Sequence, residues 1–559
     1  MEVEKDMKNI RIILVVFVLL FFHCVIVSVN VTACKDILAC GSATDGNYNL
    51  LLKVRDPSRS GLQVLCIVPE GYEYTYHHPW TGTPMDFKVC HKFIGVASKN
   101  DTIPDIVKAG MSFSDSGIAF GDADTGSNWV NPTKYAWDDF DWMRYACERA
   151  NDEVEAVDLL TKDVVNEMHA TGVSENLFVV GPKKGFVVES DAFHFNVKEV
   201  IDDAIAMSTY PKELWRTQYI KKRPIASSFD TIKEEYVKKG DTLRLDSLYG
   251  VKVVDVGVDW IIACEIPFFK ITYNGIIFIK PVKIELGTRG TVGDFSVKLL
   301  DISGDKAKVS LCYKFKAWED KMMSYINSRY GSIVIQDMIN WSRLHEEDLD
   351  GLRPMCEDRF TYEASMIFKI PSLNYENLSS GWFAANHPCV SIYVPVHICD
   401  TEIYYPFGNG DAAALSIELL RLYGHDNLTS YFIKVEDVFL YEMEIREQIA
   451  VDMIADDMSV SGFLTHIDMV MQKQAWLTEQ IWLAASNISN EEDEQKVVDI
   501  ISGLWEANFS VSLDRMENAI YDLEVIPQTE NIVDIIRQIM LTILDLKINN
   551  CEIYILSLK

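Results

Sequence analysis

The stretch ACKDILACGSATDG at residues 33–46 decides how this 559-residue chain can fold and act, because it places Cys34 at a predicted chain start. The preceding residues, VTA at 31–33, are of the kind that a signal peptidase reads, so cleavage after Ala33 would make Cys34 the first residue. An N-terminal cysteine combines a thiol nucleophile with its own α-amine, which has a pKa of about 7.7 to 8.0 and can serve as the base. Cys34 is therefore the first candidate catalytic residue.

Residues 1–33 have the pattern of a secretory leader. Basic residues near the start precede an apolar run over residues 12–29. The run is short for a membrane span and is interrupted by His23, which leaves an uncleaved membrane anchor as a second interpretation. A third is a lipobox, since VTAC at residues 31–34 also fits that motif and the thiol of Cys34 would then carry a lipid. A lipidated Cys34 could not be a nucleophile, and the chain would then be a lipid-anchored binding protein of the cell surface.

The charge of the chain excludes one class of partner. With 83 acidic against 52 basic residues, the net charge is -31, which repels the phosphates of nucleic acids and anionic membrane surfaces. Twelve cysteines are too few for a disulfide scaffold in a chain of this length. Together with the leader, this composition predicts an exported protein, extracellular or on the cell surface. Glycosylation motifs occur at Asn100, Asn340, Asn377, Asn427, Asn487 and Asn508.

The pattern of apolar residues divides the mature chain into four parts. Residues 34–235 alternate short apolar strands with helical stretches, which predicts an α/β or α+β layered fold. Residues 236–317 show β-branched alternation with Gly-Asp turns, so we expect a small inserted all-β domain. Residues 318–440 return to mixed helix and strand, and residues 441–559 have helical spacing throughout. The late apolar stretch at 532–546 is broken by charges, so it is expected to pack on protein and not to span a membrane.

Local patterns predict individual elements within these parts. A helix is expected to begin near Lys134 and to run through Ala146, and a second helix is expected over residues 154–168. NLFVVGPKKGFVVE at residues 176–189 has two apolar runs around a Pro/Gly turn and predicts a β-hairpin. SIYVPVH at residues 391–397 predicts a strand with an edge-type proline.

The beginning of the mature chain resembles the secreted dipeptidase family of N-terminal nucleophile (Ntn) hydrolases, relatives of penicillin V acylase and choloylglycine hydrolase. In that family a Cys-Thr-Thr start leads through a glycine and an Asp-Gly pair to an Arg-Asn-x-Asp segment. The corresponding stretches here are residues 33–46 and KVRD at residues 53–56.

Three later motifs extend the resemblance in the same order. DSGIA at residues 115–119 is similar to the family's Asn-Glu-x-Gly-Val-Ala, the hairpin at 176–189 to its asparagine-to-glutamate hairpin, and SIYVP at 391–395 to its late Ser-x-Tyr-x-Pro strand. Each motif is short, and their common order carries the resemblance.

The resemblance implies a fold and a reaction. The fold would be α+β, with a four-layer αββα Ntn-hydrolase core formed by residues 34–235 and 318–440, to which the inserted β domain and the helical C-terminal region are added. The reaction would be hydrolysis of a linear C–N bond in a short peptide or an acyl amide, as in a dipeptidase, without a cofactor.

Residue by residue, the resemblance implies Cys34 as nucleophile and base, and Asp56 as the carboxylate that orients the amine or thiol. Asn176 would be a side-chain donor to the oxyanion, a role that can be worth roughly 10²-fold in rate. The implied substrate-binding residues are Lys53, Arg55, His78 and Asp115. The chain departs from the family pattern at Lys53, which replaces an arginine, at Asp115, which replaces an asparagine, and at Lys35 and Asp36, which replace the two threonines.

Metal binding is not predicted by the spacing of ligand-type residues. HPC at residues 387–389 and HIC at residues 397–399 pair histidine with cysteine two positions apart, which is not the spacing of a common zinc module. The segment between them is expected to be core strand. Asp122, Asp124, Asp138, Asp139 and Asp141 lack calcium-loop spacing and are expected to form a solvated acidic face.

Overall fold

The computed structural model describes residues 34–44, 47–55, 61–103, 107–127, 129–217, 229–245, 249–266, 268–272, 275–357 and 363–557. The predicted leader at residues 1–33 and the predicted catalytic residue Asp56 lie outside the described residues.

The strands among the described residues, in chain order, are β1 (Lys35–Ala39), β2 (Tyr48–Arg55), β3 (Gln63–Val68), β4 (Glu73–His77), β5 (Pro84–Lys88), β6 (Phe93–Ser98), β7 (Ala109–Ser114), β8 (Ala119–Asp124), β9 (Glu175–Val180), β10 (Gly185–Ser190), β11 (Phe195–Val200), β12 (Ala204–Met207), β13 (Lys233–Lys238), β14 (Thr242–Arg244), β15 (Gly250–Val256), β16 (Trp260–Ile266), β17 (Phe269–Thr272), β18 (Gly275–Phe278), β19 (Val282–Glu285), β20 (Arg289–Val292), β21 (Phe295–Ser303), β22 (Lys306–Tyr313), β23 (Ala364–Pro371), β24 (Ser380–Ala384) and β25 (Val394–His397).

The helices are α1 (Asp139–Cys147), α2 (Glu153–Asp158) with its π-helical continuation (Leu159–Glu167), α3 (Lys212–Thr217), α4 (Lys314–Arg329), α5 (Ile335–Ser342), α6 (Tyr375–Leu378), α7 (Tyr405–Asn409), α8 (Asp411–Tyr423), α9 (Thr429–Ala455), α10 (Ser461–Ala485), α11 (Glu491–Ile501), α12 (Phe509–Leu523) and α13 (Glu530–Ser557). The prediction of a mixed chain of helices and strands is confirmed, with 37% helix and 29% strand.

Two large antiparallel sheets position the candidate site. Sheet A has the strand order β12-β1-β2-β23-β24-β25, and sheet B has the order β11-β10-β9-β8-β7-β6-β3. The predicted hairpin at residues 176–189 is confirmed, because β9 and β10 pair with Asn176 opposite Glu189. Strand β1, which follows Cys34, is an interior strand of sheet A with partners on both edges.

Sheets A and B pack face to face. The rings of Phe113 on β7 and Phe368 on β23 have centroids 5.5 Å apart. Gly121 on β8 lies so close to β1 that a Cβ atom there would be 2.6 Å from Oδ1 of Asp36. The absence of a side chain at Gly121 therefore allows the two sheets to approach at the strand that carries the candidate nucleophile.

Helices pack on the other faces of both sheets. Successive side chains of a strand point to opposite faces, so Gly110 on β7 faces away from Phe113. A Cβ atom at Gly110 would lie 2.6 Å from the ring of Phe140 in α1. Behind sheet A, the hydroxyl of Tyr393 lies 2.6 Å from Ser365 Oγ on β23 and 2.8 Å from Ser342 Oγ at the end of α5. Each sheet thus has helical elements on the side away from the other sheet.

Contacts within the chain define two compact units. One contains Lys221–Trp318 and Asp350–Leu352; it is built from two four-stranded sheets, β13-β22-β21-β20 and β14-β15-β16-β19, with the hairpin β17-β18. The other contains Ala33–Ile220, Glu319–Leu349 and Arg353–Lys559, and it holds sheets A and B.

The C-terminal helices pack on protein, as predicted. Ile532, Ile536, Ile539 and Ile543 of α13 recur at helical spacing and are all buried. Among the described residues, no helix combines the length and the apolarity that crossing a bilayer requires.

One predicted element boundary is wrong, and the second predicted helix is present with a change of helix type. Helix α1 begins at Asp139 and not near Lys134, because Asp138 caps its start: the Asp138 carboxylate accepts a hydrogen bond from the backbone N–H of Asp141. The helix predicted over residues 154–168 is confirmed as a helical stretch from Glu153 to Glu167, and it changes from α-helix to π-helix after Asp158, which hydropathy spacing cannot show.

Candidate active site

Cys34 lies immediately before β1, at the start of an interior strand of sheet A. Its residue surface is 6% exposed, and all five residues of β1 are buried. The strand is held by β2 on one edge and by β12 on the other. The thiol is therefore fixed within the protein and not at its surface.

Lys53 provides the positive charge next to Cys34. It stands on β2 directly opposite Asp36 of β1, and its side chain is fully buried. Its Nζ lies 2.9 Å from Oδ1 of Asp122 on β8 and 3.7 Å from Oδ2 of Asp36. Burial alone would lower the pKa of Lys53, but Asp122, Asp36 and Cys34 outweigh it and raise that pKa well above its usual value.

The partners of Lys53 join the two sheets. Asp36 belongs to sheet A and Asp122 to sheet B, so the ammonium of Lys53 bridges carboxylates on facing strands. Burial is the main cause that raises the pKa of Asp36 well above its usual value, and the nearby Asp122 adds to it, although Lys53 opposes the shift. The lysine thus stabilises negative charge in a region from which water is largely excluded.

The aspartates that were expected to form a solvated face are mostly buried, so that prediction is wrong. Asp122, Asp139 and Asp141 are 2%, 8% and 1% exposed. Asp139 and Asp141 are buried because α1 packs its acidic first turn against sheet B, and Asp122, on β8, is buried beside Lys53. Cations there compensate Asp141, whose carboxylate lies 3.1 Å from Nζ of Lys108 and 3.4 Å from Nη2 of Arg144.

A second acidic group lies at the end of β8. Oxygen atoms of Asp124, Asp139 and Glu175 lie within 4.8 Å of one another. Burial, followed by repulsion from the neighbouring carboxylates, raises the pKa of Asp139 and that of Glu175 well above their usual values. At neutral pH these groups can share protons, since like charges so close together do not all ionise.

Arg55 lies near this acidic group and not at a solvated strand edge. It is 2% exposed, and its Nη1 donates a hydrogen bond to Oε1 of Gln63 at 2.5 Å. Its guanidinium carbon stands 4.6 Å from the centroid of the Phe140 ring. Arg55 also opposes the rise in the pKa of Asp139.

Asn176 is fully buried on β9, in the sheet that faces Cys34. Its Nδ2 donates hydrogen bonds to the backbone carbonyls of Ser208, at 2.7 Å, and Tyr210, at 3.2 Å. The side-chain NH2 group of Asn176 thus donates both of its hydrogen bonds to backbone carbonyls just after β12. Its Oδ1, an acceptor, is buried without a hydrogen-bond partner among the described residues.

The other predicted substrate-binding residues have contacts in different places. His78 is in the turn between β4 and β5, where its Nδ1 accepts a hydrogen bond from the N–H of Trp80. Asp115 is in the turn between β7 and β8 and lies 3.0 Å from Nδ1 of His91. Of the predicted site residues, Lys53 stands on the strand next to β1, opposite Asp36. The side chain of His78 contacts its own turn, and that of Asp115 contacts His91, which precedes β6.

Lys35 is a buried residue whose partner the sequence did not indicate. Its Nζ donates to Oε1 of Glu357 at 2.9 Å and lies 3.4 Å from the carbonyl oxygen of Met355. Burial would raise the pKa of Glu357, but Lys35 and Arg353 outweigh it and lower that pKa to about 2. The residue after Cys34 is thereby attached to a loop far along the chain, a contact that no sequence spacing could reveal.

The histidines of the two pairs, HPC at residues 387–389 and HIC at residues 397–399, have different carboxylate partners. Nδ1 of His387 lies 2.7 Å from Oε2 of Glu363, and Nδ1 of His397 lies 2.7 Å from Oδ2 of Asp468. Both histidines are fully buried. Each ring is thus held by a carboxylate.

Comparison with known proteins gives only weak structural similarities. No protein-family model matches the chain, and no curated protein matches it. The chain is similar to penicillin V acylase from Agrobacterium tumefaciens, with 13% identity and a TM-score of 0.23 over 30% of this chain and 50% of that one, so the match spans half the length of the acylase. It is also similar to a mutant of conjugated bile acid hydrolase from Clostridium perfringens, with 10% identity and a TM-score of 0.33 over 65% of this chain and 92% of that one. At such low TM-scores, the functional inference rests on the geometry around Cys34.

Proposed function

We propose that this chain is a cysteine amidohydrolase of the N-terminal nucleophile class that cleaves linear C–N bonds. One observation carries the proposal: Cys34 lies immediately before a buried interior strand, and the buried Lys53 stands on the neighbouring strand opposite Asp36, two residues after Cys34. A structural cysteine does not require a buried cation, whereas a reacting thiol benefits from one.

The proposed reaction begins after removal of residues 1–33, which frees the α-amine of Cys34. The amine accepts the thiol proton, the sulfur attacks the amide carbonyl carbon, and the tetrahedral intermediate collapses to a thioester. The proton passes to the leaving amine as the C–N bond breaks. Water then adds to the thioester, the acid is released, and the thiol and amine are regenerated. Asp56 is proposed to orient the α-amine.

Negative charge that develops during the attack needs donors and cations close by. Lys53 is proposed to stabilise the sulfur as it gains charge; its ammonium is held between Asp36 and Asp122. Asn176 can act as the proposed oxyanion donor only if one of its N–H groups leaves a backbone carbonyl. The longer bond, at 3.2 Å to Tyr210, is the one we expect to exchange.

The finer features of the proposal follow the sequence resemblance. We propose that sheets A and B with their flanking helices form the four-layer αββα core, with residues 236–317 as an inserted β domain. The substrate is proposed to be a short peptide or an acyl amide, with Arg55, His78 and Asp115 as binding positions. Export by the leader and an extracellular or cell-surface location belong to the same proposal.

The test combines the chemical state of residue 34 with its substitution. We expect mass spectrometry of the native protein to find a free Cys34 as the N-terminal residue. Cys34→Ala, shown by the same method to be processed, should lose at least about 10³-fold in hydrolysis of a panel of dipeptides and acyl amides.

The matched control is Cys40→Ala, which removes another fully buried thiol just after β1. This variant should retain activity. Full activity in processed Cys34→Ala would overturn the proposal, as would a lipid on Cys34. The buried position of Cys34 weighs against a lipid, because an acylated sulfur must reach the surface.

A further inference from the structure

We infer that His345, Cys356, Cys389 and His425 form a binding site for a zinc ion. Their ligand-type side-chain atoms all lie within 4.8 Å of one another. Two thiols and two imidazoles are the ligand set of many structural zinc sites, in which the metal is tetrahedral and all four positions are filled by protein. The four residues lie outside the site around Cys34.

The distances fit four ligands around one small ion. Sγ of Cys356 lies 3.5 Å from Sγ of Cys389, and Sγ of Cys389 lies 3.2 Å from Nδ1 of His425. Tetrahedral zinc with bonds of about 2.3 Å to sulfur and about 2.0 Å to nitrogen separates two sulfurs by about 3.8 Å and sulfur from nitrogen by about 3.5 Å. A shift of a few tenths of an ångström would therefore admit the ion.

The two thiols do not form a disulfide in this structure. Their separation of 3.5 Å is well beyond the roughly 2.05 Å of an S–S bond. Cys389 and Cys356 are both fully buried. Buried, clustered thiols and imidazoles are typical of a closed structural metal site.

The carboxylate of Asp426 contacts the ring of one proposed ligand, His345. Oδ1 of Asp426 lies 3.1 Å from Nε2 of His345, which is 2% exposed. A carboxylate against the ring of a ligating histidine fixes its orientation and increases its basicity. Asp426 follows His425 directly, so one loop would supply both a ligand and the support of another ligand.

The ion would tie together four segments that are far apart in the sequence. His345 follows α5, Cys356 lies in the loop before β23, Cys389 is in the short 3-10 turn Pro388–Val390, and His425 is between α8 and α9. The two neighbours of Cys356, Met355 and Glu357, are the partners of Lys35. Zinc at this site would thus fix the loop that holds the residue after Cys34.

The test is the zinc content of the full-length protein, purified after expression with zinc and measured by inductively coupled plasma mass spectrometry. We expect one tightly bound zinc ion per chain in the unmodified protein. Cys356→Ser, Cys389→Ser and His425→Ala should each lose most of it. Cobalt(II) added to the metal-free protein should give the intense visible absorption of tetrahedral thiolate coordination.

Control variants distinguish the loss of a zinc ligand from a general disruption of the fold. Cys66→Ser removes another buried thiol and His466→Ala a histidine outside the cluster, and both should keep the zinc. His425 is only partly buried, so its substitution is the variant most expected to fold. The proposal is overturned if the unmodified protein binds no zinc, if the cluster variants bind as much as it does, or if a Cys356–Cys389 disulfide is found.

Discussion

At the scale of single residues, the chain buries charge where it also places its candidate nucleophile. Lys53 is enclosed with Asp36 and Asp122, and both carboxylates would lose their common cation if the lysine were removed. Removing one partner of a buried ion pair is costly, because the remaining charges lie in a poorly solvated place. Lys53 therefore has a structural role whether or not it contacts a substrate.

Lys53→Met is expected to lower the free energy of unfolding by about 3 to 5 kcal/mol, since it leaves the two carboxylates uncompensated. Chemical denaturation followed by circular dichroism measures the change. The control is Lys88→Met, which breaks an exposed ion pair with Glu73 and should leave the stability nearly unchanged.

A double-mutant cycle between Lys53 and Asp122 tests directly whether the two side chains stabilise each other. Asp122→Asn should destabilise the protein less in the Lys53→Met background than in the unmodified protein, because one buried charge has already lost its partner. Additive effects of the two substitutions would contradict the buried network described here.

At the scale of strands and helices, the close approach of the two sheets depends on a glycine. A Cβ at Gly121 would lie 2.6 Å from Oδ1 of Asp36 and 3.6 Å from Cβ of Lys53. Asp36 is fully buried and cannot turn towards solvent. Any side chain at Gly121 must therefore separate β8 from β1 or displace Asp36.

Gly121→Ala is expected to destabilise the fold by about 1 to 3 kcal/mol through overpacking. Gly462→Ala is the control, because that glycine lies in α10 with open space around its Cβ position. This control should be neutral or stabilising by up to about 1 kcal/mol, as alanine favours helix. Equal midpoints for the two variants in thermal unfolding would argue against the tight contact between sheets.

Elements with local signals could be predicted from the sequence, and those defined by distant contacts could not. The hairpin at residues 176–189 has its Pro/Gly turn and both apolar strands within one short stretch, and the structure confirms it. The strand predicted over residues 391–397 is reduced to Val394–His397, because the backbone N–H groups of Ile392 and Tyr393 donate to the carboxylates of Glu479 and Glu436. Burial of the aspartates near α1 depends on Lys108 and Arg144, whose partnership hydropathy cannot show.

The candidate sites also differ in whether a local sequence signal could predict them. Cys34 and Lys53 were predicted because both lie in one short stretch that matches a family pattern. The zinc ligands proposed here are spread from His345 to His425 at irregular spacing, and of the four only Cys389 belonged to a pair noticed in the sequence. The predicted roles of Asp56, Asn176, Arg55, His78 and Asp115 stay predictions.

At the scale of the whole molecule, buried titratable groups make stability depend on pH. His397 on β25 is enclosed by Asp468 of α10, whose Oδ2 is 2.7 Å from Nδ1, and by Glu447 of α9, whose Oε1 is 3.6 Å from Nε2. Burial alone would lower the pKa of His397, but the two carboxylates outweigh it and raise that pKa to about 10. The folded protein therefore binds a proton that the unfolded chain releases near pH 6.5.

The stabilising effect of protonated His397 is complete below about pH 6.5 and is lost as the pH rises towards 10. We expect the free energy of unfolding to fall over this range, with a contribution from His397 of at most about 1.4 kcal/mol per pH unit. Urea denaturation at a series of pH values measures the slope.

His397→Gln should flatten this dependence, since glutamine does not titrate. His466→Gln, at a half-exposed histidine near Asp545, should leave the slope as it is. An unchanged slope in His397→Gln would show that other groups cause the dependence.

The strand order of sheet A has a consequence for the timing of biosynthesis. Strand β1 can complete its pairing only when β12 has been made, because Asp36 pairs with Met207, and β2 must wait for β23, because Lys53 pairs with Met366. A chain that emerges from its N-terminus thus leaves sheet A incomplete around β1 and β2 through much of its synthesis. Removal of the proposed leader has this interval in which to occur, before the later strands enclose the new N-terminus.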